Sequence, residues 1–235
     1  MTNDIFGKAI LDYHNGNERG VIKVISEDFD EDEITVSYLF RNYPKMPIVE
    51  QKALELSFGK VLDVGCGAGS HSLYLKNEKK LNVTAIDTSK GAIELLTRKG
   101  LQNAFCDDFY THKGKYDTVL LLMNGSGIIG KLENFSNFFN HLKTLLNDSG
   151  QVLIDSSDLI YLFENEDGEF WVDAAKGYYG EMKYQIAYKN EISESFDWLY
   201  VDYNTLQRAA ILNGFACELI HTGEHYDYLA KLTIL

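Results

Sequence analysis

From residue 60 onward the chain alternates short apolar runs with stretches whose apolar residues return every three or four positions. The runs "KVLDV" (60–64), "NVTAID" (82–87), "QNAFC" (102–106), "YDTVLLLM" (116–123) and "QVLID" (151–155) read as buried strands. Between them, "SHSLYLKNE" and "SKGAIELLTRKG" have helical spacing, the second with Ser89 as its N-cap and Gly100 just past its end. "LENFSNFFNHLKTLLN" is a further amphipathic helix, and the turn "NDSG" (147–150) leads from it into the fifth strand. Repeated strand–helix–strand units predict a parallel sheet covered on both faces, with right-handed crossovers. Ligands of such sheets lie outside the carboxyl ends of the strands.

The flanks differ. Pro44 and Pro47 precede a short helix at about 48–57 that stops at Gly59, so residues 1–59 are expected to form a helical cap outside the sheet. After Asp155, "GYYGEMKYQIAYKN" and "EISESFDWLYVD" read as an inserted, aromatic-rich antiparallel pair within residues 156–202, placed to cover a substrate pocket. "YNTLQRAAILNG" is then a helix capped by Asp202 and ended by Gly214, and strands at about 215–222 and 226–234 complete the sheet over 203–235. One domain is expected across residues 1–235, with its ligand-binding core at 60–155.

The link between the first strand and helix, "KVLDVGCGAGSHSLYL", carries the chemistry. Gly65, Gly67 and Gly69 stand at alternate positions, with Cys66 as a small residue between the first two. A triphosphate-binding loop needs a Lys after its last glycine, and none is present; the dinucleotide fingerprint needs its third glycine one position later, where Ser70 stands. Asp63, two residues before the turn, would repel a pyrophosphate and suits a ligand with a positive amino group. Asp87 closes the second strand, where a carboxylate can accept from both ribose hydroxyls, although a plain helix cap competes. Asp107 or Asp108, at the end of the third, can accept from an adenine amino group.

An amino acid end, a ribose and an adenine without phosphate describe S-adenosylmethionine. "VLDVGCGAGSHSLYL", "AIDTS" and "CDDF" resemble the first three motifs of the class I S-adenosylmethionine-dependent methyltransferases, and "YDTVLLLMN" and "LKTLLNDSGQVLID" are similar to the elements that follow them. The resemblance is close over 60–155 and loose over 203–235. It implies an α/β, Rossmann-like sheet of seven mostly parallel strands with the last antiparallel. Asp63, Gly65, Cys66, Gly67, Gly69 and His71 would then surround the cofactor's amino acid end. Asp87 and Thr88 would lie at the ribose, and Asp107, Asp108 and Phe109 at the adenine, Phe109 serving either as a stacking surface or as core.

Methyl transfer is an in-line displacement in which the protein chiefly aligns donor and acceptor. Asn124, in "MNGSGIIG" after the fourth strand, is the candidate positioning residue beside the methyl, although a turn-forming Asn before Gly competes. His225, with Asp227 as its orienter, is a candidate base, although a surface pair competes. The family's nucleobase and glutamine methyltransferases carry prolines in that loop, and "NGSG" has none. Its metal-dependent members place carboxylates after the fourth and fifth strands; here the first position is Asn124, while Asp155 is followed by Ser156, an incomplete match, so no metal is expected. The cluster His221, Glu224, His225 and Asp227 lies in a turn and does not share one helix face. Tyr43, Tyr178 and Tyr179 are candidate pocket residues.

The remaining composition narrows the partners. Lys and Arg number 22 against 35 acids, a net charge of −13, so nucleic acid is not an expected partner. The densest charge run, "SEDFDEDE" (26–33), is acidic and reads as a solvated loop. Three widely spaced cysteines argue against a disulfide framework. The apolar stretch "TVLLLM" is too short to span a bilayer, and the first residues lack a secretory pattern, so a cytoplasmic protein with a small-molecule substrate is expected; an assembly of two copies is compatible with the chain. The acceptor atom, nitrogen or oxygen, is left open. A non-catalytic S-adenosylmethionine sensor and, further off, a nicotinamide oxidoreductase are the alternatives.

Overall fold

The computed structural model describes residues 4–17, 19–27, 29–165, 167–172, 175 and 177–235. Parts of the expected cap (1–3, 18 and 28) and of the expected insertion (166, 173, 174 and 176) lie outside the described residues. In chain order the elements begin with α1 (Ile5–His14), β1 (Val21–Ser26), β2 (Asp32–Thr35) and α2 (Ile48–Leu56). They continue with β3 (Lys60–Val64), α3 (Ser70–Asn77), β4 (Asn82–Asp87), α4 (Lys90–Arg98), β5 (Ala104–Cys106) and β6 (Tyr116–Leu121). Then come α5 (Phe135–Leu145), β7 (Leu146–Ser157), β8 (Glu181–Tyr188), β9 (Glu191–Ile192), β10 (Phe196–Leu199), α6 (Tyr203–Leu212), β11 (Phe215–Thr222) and β12 (Asp227–Ile234).

The seven-stranded sheet has the order β11-β12-β7-β6-β3-β4-β5. β3 pairs in parallel with β4, β4 with β5, and β6 with β7. β12 runs antiparallel to β7 and to β11, which places the one reversed strand where the last strand was expected. The fold class is therefore a Rossmann-like α/β sheet. Among the described residues no helix is long and apolar enough to cross a membrane.

Chain contacts divide the molecule into two compact units. The first comprises residues 1–47, 57–113 and 183–196, and the second 48–56, 114–182 and 197–235. In the first, Ile5, Ala9 and Ile10 of α1 bury against Ile22, Val36, Leu39, Ala92 and Leu95. The apolar stripe of α1 thus finds its partner on α4, and the two helices approach closely: a Cβ on Gly91 would stand 2.6 Å from the Gly7 Cα. In the second, Phe139 packs against Phe138 and Phe215 with ring centroids 5.4 and 5.2 Å apart, joining α5 to β11.

Three expectations need correction. The first 59 residues are not purely helical, because β1 and β2 form an antiparallel pair, Val21 opposite Thr35. They do so because β1 finds a long-range partner in β8, Lys23 opposite Ala187, which no local pattern reveals. The expected inserted pair accordingly belongs to a second sheet, ordered β10-β8-β1-β2 with β9 on β8. Finally, "NDSG" is not a turn ahead of the fifth strand. β7 starts at Leu146, and these residues bulge from it where the register with β6 jumps from Tyr116–Leu146 to Thr118–Gln151.

Candidate cofactor site

In the first unit the carboxyl ends of β3, β4 and β5 carry Asp63 with the glycine turn, Asp87, and Asp107 with Asp108. All three glycines adopt positive φ: +70° at Gly65, +51° at Gly67 and +83° at Gly69. A Cβ on Gly65 would meet nothing within 4 Å, so that backbone is open to an incoming group. Gly69 does a different job: a Cβ there would collide with Leu96, so its absence lets α3 start close against α4. The turn is fixed from below by Ile86, whose carbonyl accepts from the amides of Gly65 (2.9 Å) and Cys66 (3.1 Å).

Asp63 is 2% exposed and accepts from the Ser72 hydroxyl at 2.5 Å. Burial pushes its carboxyl above the ordinary value of 3.8, against the pull of nearby His71, itself buried at the start of α3. Asp87 spends one bond per oxygen on the protein: Oδ2 accepts from the Gly67 amide at 2.9 Å, and Oδ1 from the Ser89 amide at 2.8 Å. Burial raises its value, and the neighbouring carboxylates Asp4 and Asp63 raise it further. Ser89, not Asp87, is the N-cap of α4, accepting from Ala92 at 3.1 Å. One carboxylate therefore locks the glycine turn to the next helix and keeps a second lone pair on each oxygen for a diol.

At β5 the two candidate acids differ. Asp107 Oδ1 accepts from the Asp108 amide (3.0 Å) and the Thr111 hydroxyl (3.2 Å), while Oδ2 faces His112 Nδ1 at 2.7 Å. The His112 bond is the chief cause that holds Asp107 below the ordinary carboxylate value. Asp108 is exposed and accepts from the Tyr110 amide at 2.8 Å. Phe109 is 2% exposed and meets Tyr110 edge to face. Thr88 is exposed, with its carbonyl 3.5 Å from Cys106 Sγ. The Cys66 thiol is pushed well up by burial and by Asp87 and Asp63, which leaves it protonated and unreactive. Tyr43 stacks on Tyr74 of α3, ring centroids 4.3 Å apart.

The second unit holds the loop after β6. Met123 (φ +66°) and Asn124 (φ +58°) are both left-handed, a costly pairing for residues other than glycine. Asp155, at β7, secures it by accepting from the amides of Met123 (3.0 Å) and Gly125 (2.9 Å). Asn124 Oδ1 accepts from Ser157 at 2.9 Å, which aims its amide. Tyr178 and Tyr179 donate to Asp202 (2.7 Å) and Asp158 (2.6 Å), and burial pushes both phenols upward. His225 is exposed in the β11–β12 turn, where Asp227 accepts from its main-chain amide, 3.2 Å away. Among the described residues no group of three or more His, Cys, Asp or Glu is placed to hold a metal ion.

Four further residues that the sequence pattern does not single out support this arrangement. Asp4 caps α1 through the Gly7 amide (2.9 Å) and ties it to α4 through the Gly91 amide (2.8 Å). Its separation of 87 residues from Gly91 leaves no local signal. Ser72 and His112 hold Asp63 and Asp107, and Asp155 holds the β6 loop. Of these only Asp155, a carboxylate near the end of an apolar strand, carries a local signal, since Ser72 lies inside α3 and His112 lies in the loop well past β5.

The methyltransferase-domain family matches residues 61–150. A comparison with curated proteins finds no match. Among solved structures, a SAM-dependent methyltransferase from Bacteroides fragilis in complex with S-adenosyl-L-homocysteine is 45% identical, with 98% of this chain and 94% of that chain covered and a TM-score of 0.92. The CcbJ methyltransferase from Streptomyces caelestis shares the fold at 14% identity, 80% and 90% coverage and a TM-score of 0.60. An S-adenosylmethionine-dependent methyltransferase from Clostridium acetobutylicum shares it at 14% identity, 77% and 86% coverage and a TM-score of 0.57. At 45% identity over nearly its full length, the chain belongs to the SAM-dependent methyltransferase family.

Proposed function

We propose that this protein binds S-adenosylmethionine across the carboxyl ends of β3, β4 and β5 and methylates a nitrogen or oxygen of a small-molecule acceptor. The observation that carries the reading is the row of three carboxylates, Asp63, Asp87 and Asp107, beside a glycine turn whose Gly65 faces open space. A phosphate-bearing cofactor would be repelled there; an ammonium, a diol and an aromatic amine are matched in turn. The cofactor, when bound, would supply a methyl group on an electrophilic sulfonium.

The chain's own residues bind and align. Asp63 holds the amino acid end, directly or through water, beside Gly65, Cys66, Gly67, Gly69 and His71. Asp87 takes the ribose hydroxyls next to Thr88, and Asp107 takes the adenine amino group next to Asp108 and Phe109. Asn124, aimed by Ser157, positions the acceptor, and His225 is proposed to receive its proton. The net charge of −13 favours a small-molecule acceptor over nucleic acid. Residues 1–235 act as one catalytic domain in this reading, with 156–202 shaping acceptor access. The protein is assigned to the cytoplasm.

Turnover tests the proposal. Incubation with methyl-labelled S-adenosylmethionine and sets of small amines, phenols and carboxylic acids is expected to release S-adenosylhomocysteine with one or more amine or hydroxyl acceptors. Label transfer confined to nucleic acid or protein would refute the small-molecule assignment.

A further inference from the structure

We propose that His112 is a positioning residue for adenine recognition: it fixes the Asp107 carboxylate so that one oxygen is aimed at the 6-amino group of the cofactor. This rests on the assignment of Asp107 to the adenine. A carboxylate offers about four lone-pair positions. Three on Asp107 are filled from its own loop: two on Oδ1, by the Asp108 amide and the Thr111 hydroxyl, and one on Oδ2, by His112. What is left is the second position of Oδ2, and His112, 2.7 Å away, sets the direction in which it points.

Exposure agrees with a division of labour. The His112 side chain is 8% exposed, a fixed support, whereas Asp107 keeps 35% of its side chain open to a ligand. The His112 amide is also anchored, lying 3.0 Å from the Asp108 carbonyl, so imidazole and loop move together. An ionised carboxylate only accepts, so Nδ1 carries the proton in this pair. A side chain that filled the same space without a donor at the Nδ1 position would leave Asp107 free to rotate and to spread its acceptors.

The test compares S-adenosylhomocysteine with S-inosylhomocysteine, which has a carbonyl in place of the 6-amino group, by calorimetric titration of the folded protein. Asn places an amide nitrogen where His has Nδ1, and Gln places it nearer Nε2. His112→Gln is expected to reduce the preference for the adenosyl ligand about tenfold, the size of one well-made hydrogen bond, with S-inosylhomocysteine affinity unchanged. His112→Asn should restore the preference to within about threefold. Asp107→Ala must abolish it. If Asp107→Ala abolishes the preference while both His112 variants keep it, the role of His112 is overturned and that of Asp107 stands. A preference that survives Asp107→Ala overturns the adenine assignment, and the role of His112 with it. Should His112→Gln not fold, His112→Leu, which fills similar space without a donor, makes the same comparison with His112→Asn: the leucine variant is expected to lose the preference and the asparagine variant to keep it. A preference kept by both variants contradicts the proposal.

Discussion

Asp63 and Asp87 are carboxylates kept in surroundings that resist their ionisation, and this has a directional consequence for pH. Burial raises both above 3.8, and Asp87 is raised further by Asp4 and Asp63. The free protein therefore takes up protons at these positions sooner on acidification than ordinary carboxylates do. Ligand amino and hydroxyl groups donate best to the charged forms, so S-adenosylhomocysteine affinity should be level near neutrality and fall on acidification, beginning above pH 3.8. Titration calorimetry across that range measures it; affinity that stays level down to 3.8 would contradict the placement of these acids against the ligand. Stability moves the other way: a carboxylate raised by folding binds protons more tightly when folded, so the ligand-free protein gains stability as pH falls through the raised values. Asp202 has the opposite sign. Burial pushes it up, but bonds from Thr205 and Tyr178 outweigh this and hold it below the usual value, so its contribution is present above 3.8 and is lost as pH falls through its folded value.

At the scale of elements, the contact of α1 with α4 makes a test that does not depend on the cofactor. Gly7 and Gly91 allow the two helices to touch backbone to backbone, and Asp4 bridges them. Gly91→Ala would put a methyl group 2.6 Å from the Gly7 Cα, and backbone cannot give way as a flexible side chain can. Overpacking of this kind costs about 1–3 kcal/mol, so thermal unfolding should shift down by several degrees; an unchanged or raised midpoint would show that α1 does not sit on α4 as described. The same contact marks the limit of what could be read locally. Helices α2 to α6 and strands β3 to β7, β11 and β12 were legible because each carries its own period and punctuation: Ser89 before α4, Asp202 before α6, Gly214 after it. β1 and β2 were not, since their hydrophobic side is completed by β8, some 160 residues away in the pairing of Lys23 with Ala187. The acids Asp63, Asp87 and Asp107 were legible as strand-end carboxylates. Their supports Ser72, His112 and Asp4 were not, because a supporting hydrogen bond leaves no periodic trace.

For the whole molecule, a net charge of −13 and a sheet that carries three carboxylates at the carboxyl ends of neighbouring strands point the same way, toward a cofactor with cationic and neutral donors and away from polyphosphates. Binding to the native state alone converts directly into stability, about 2.7 kcal/mol at a hundredfold excess over the dissociation constant. Thermal unfolding of the protein with S-adenosylhomocysteine, with NAD at the same concentration, and with neither therefore reads cofactor choice directly. The midpoint is expected to rise with S-adenosylhomocysteine alone, and to stay unmoved by it in Asp87→Ala, which removes the proposed ribose acceptor. A rise with NAD and none with S-adenosylhomocysteine would overturn the assignment of S-adenosylmethionine as cofactor.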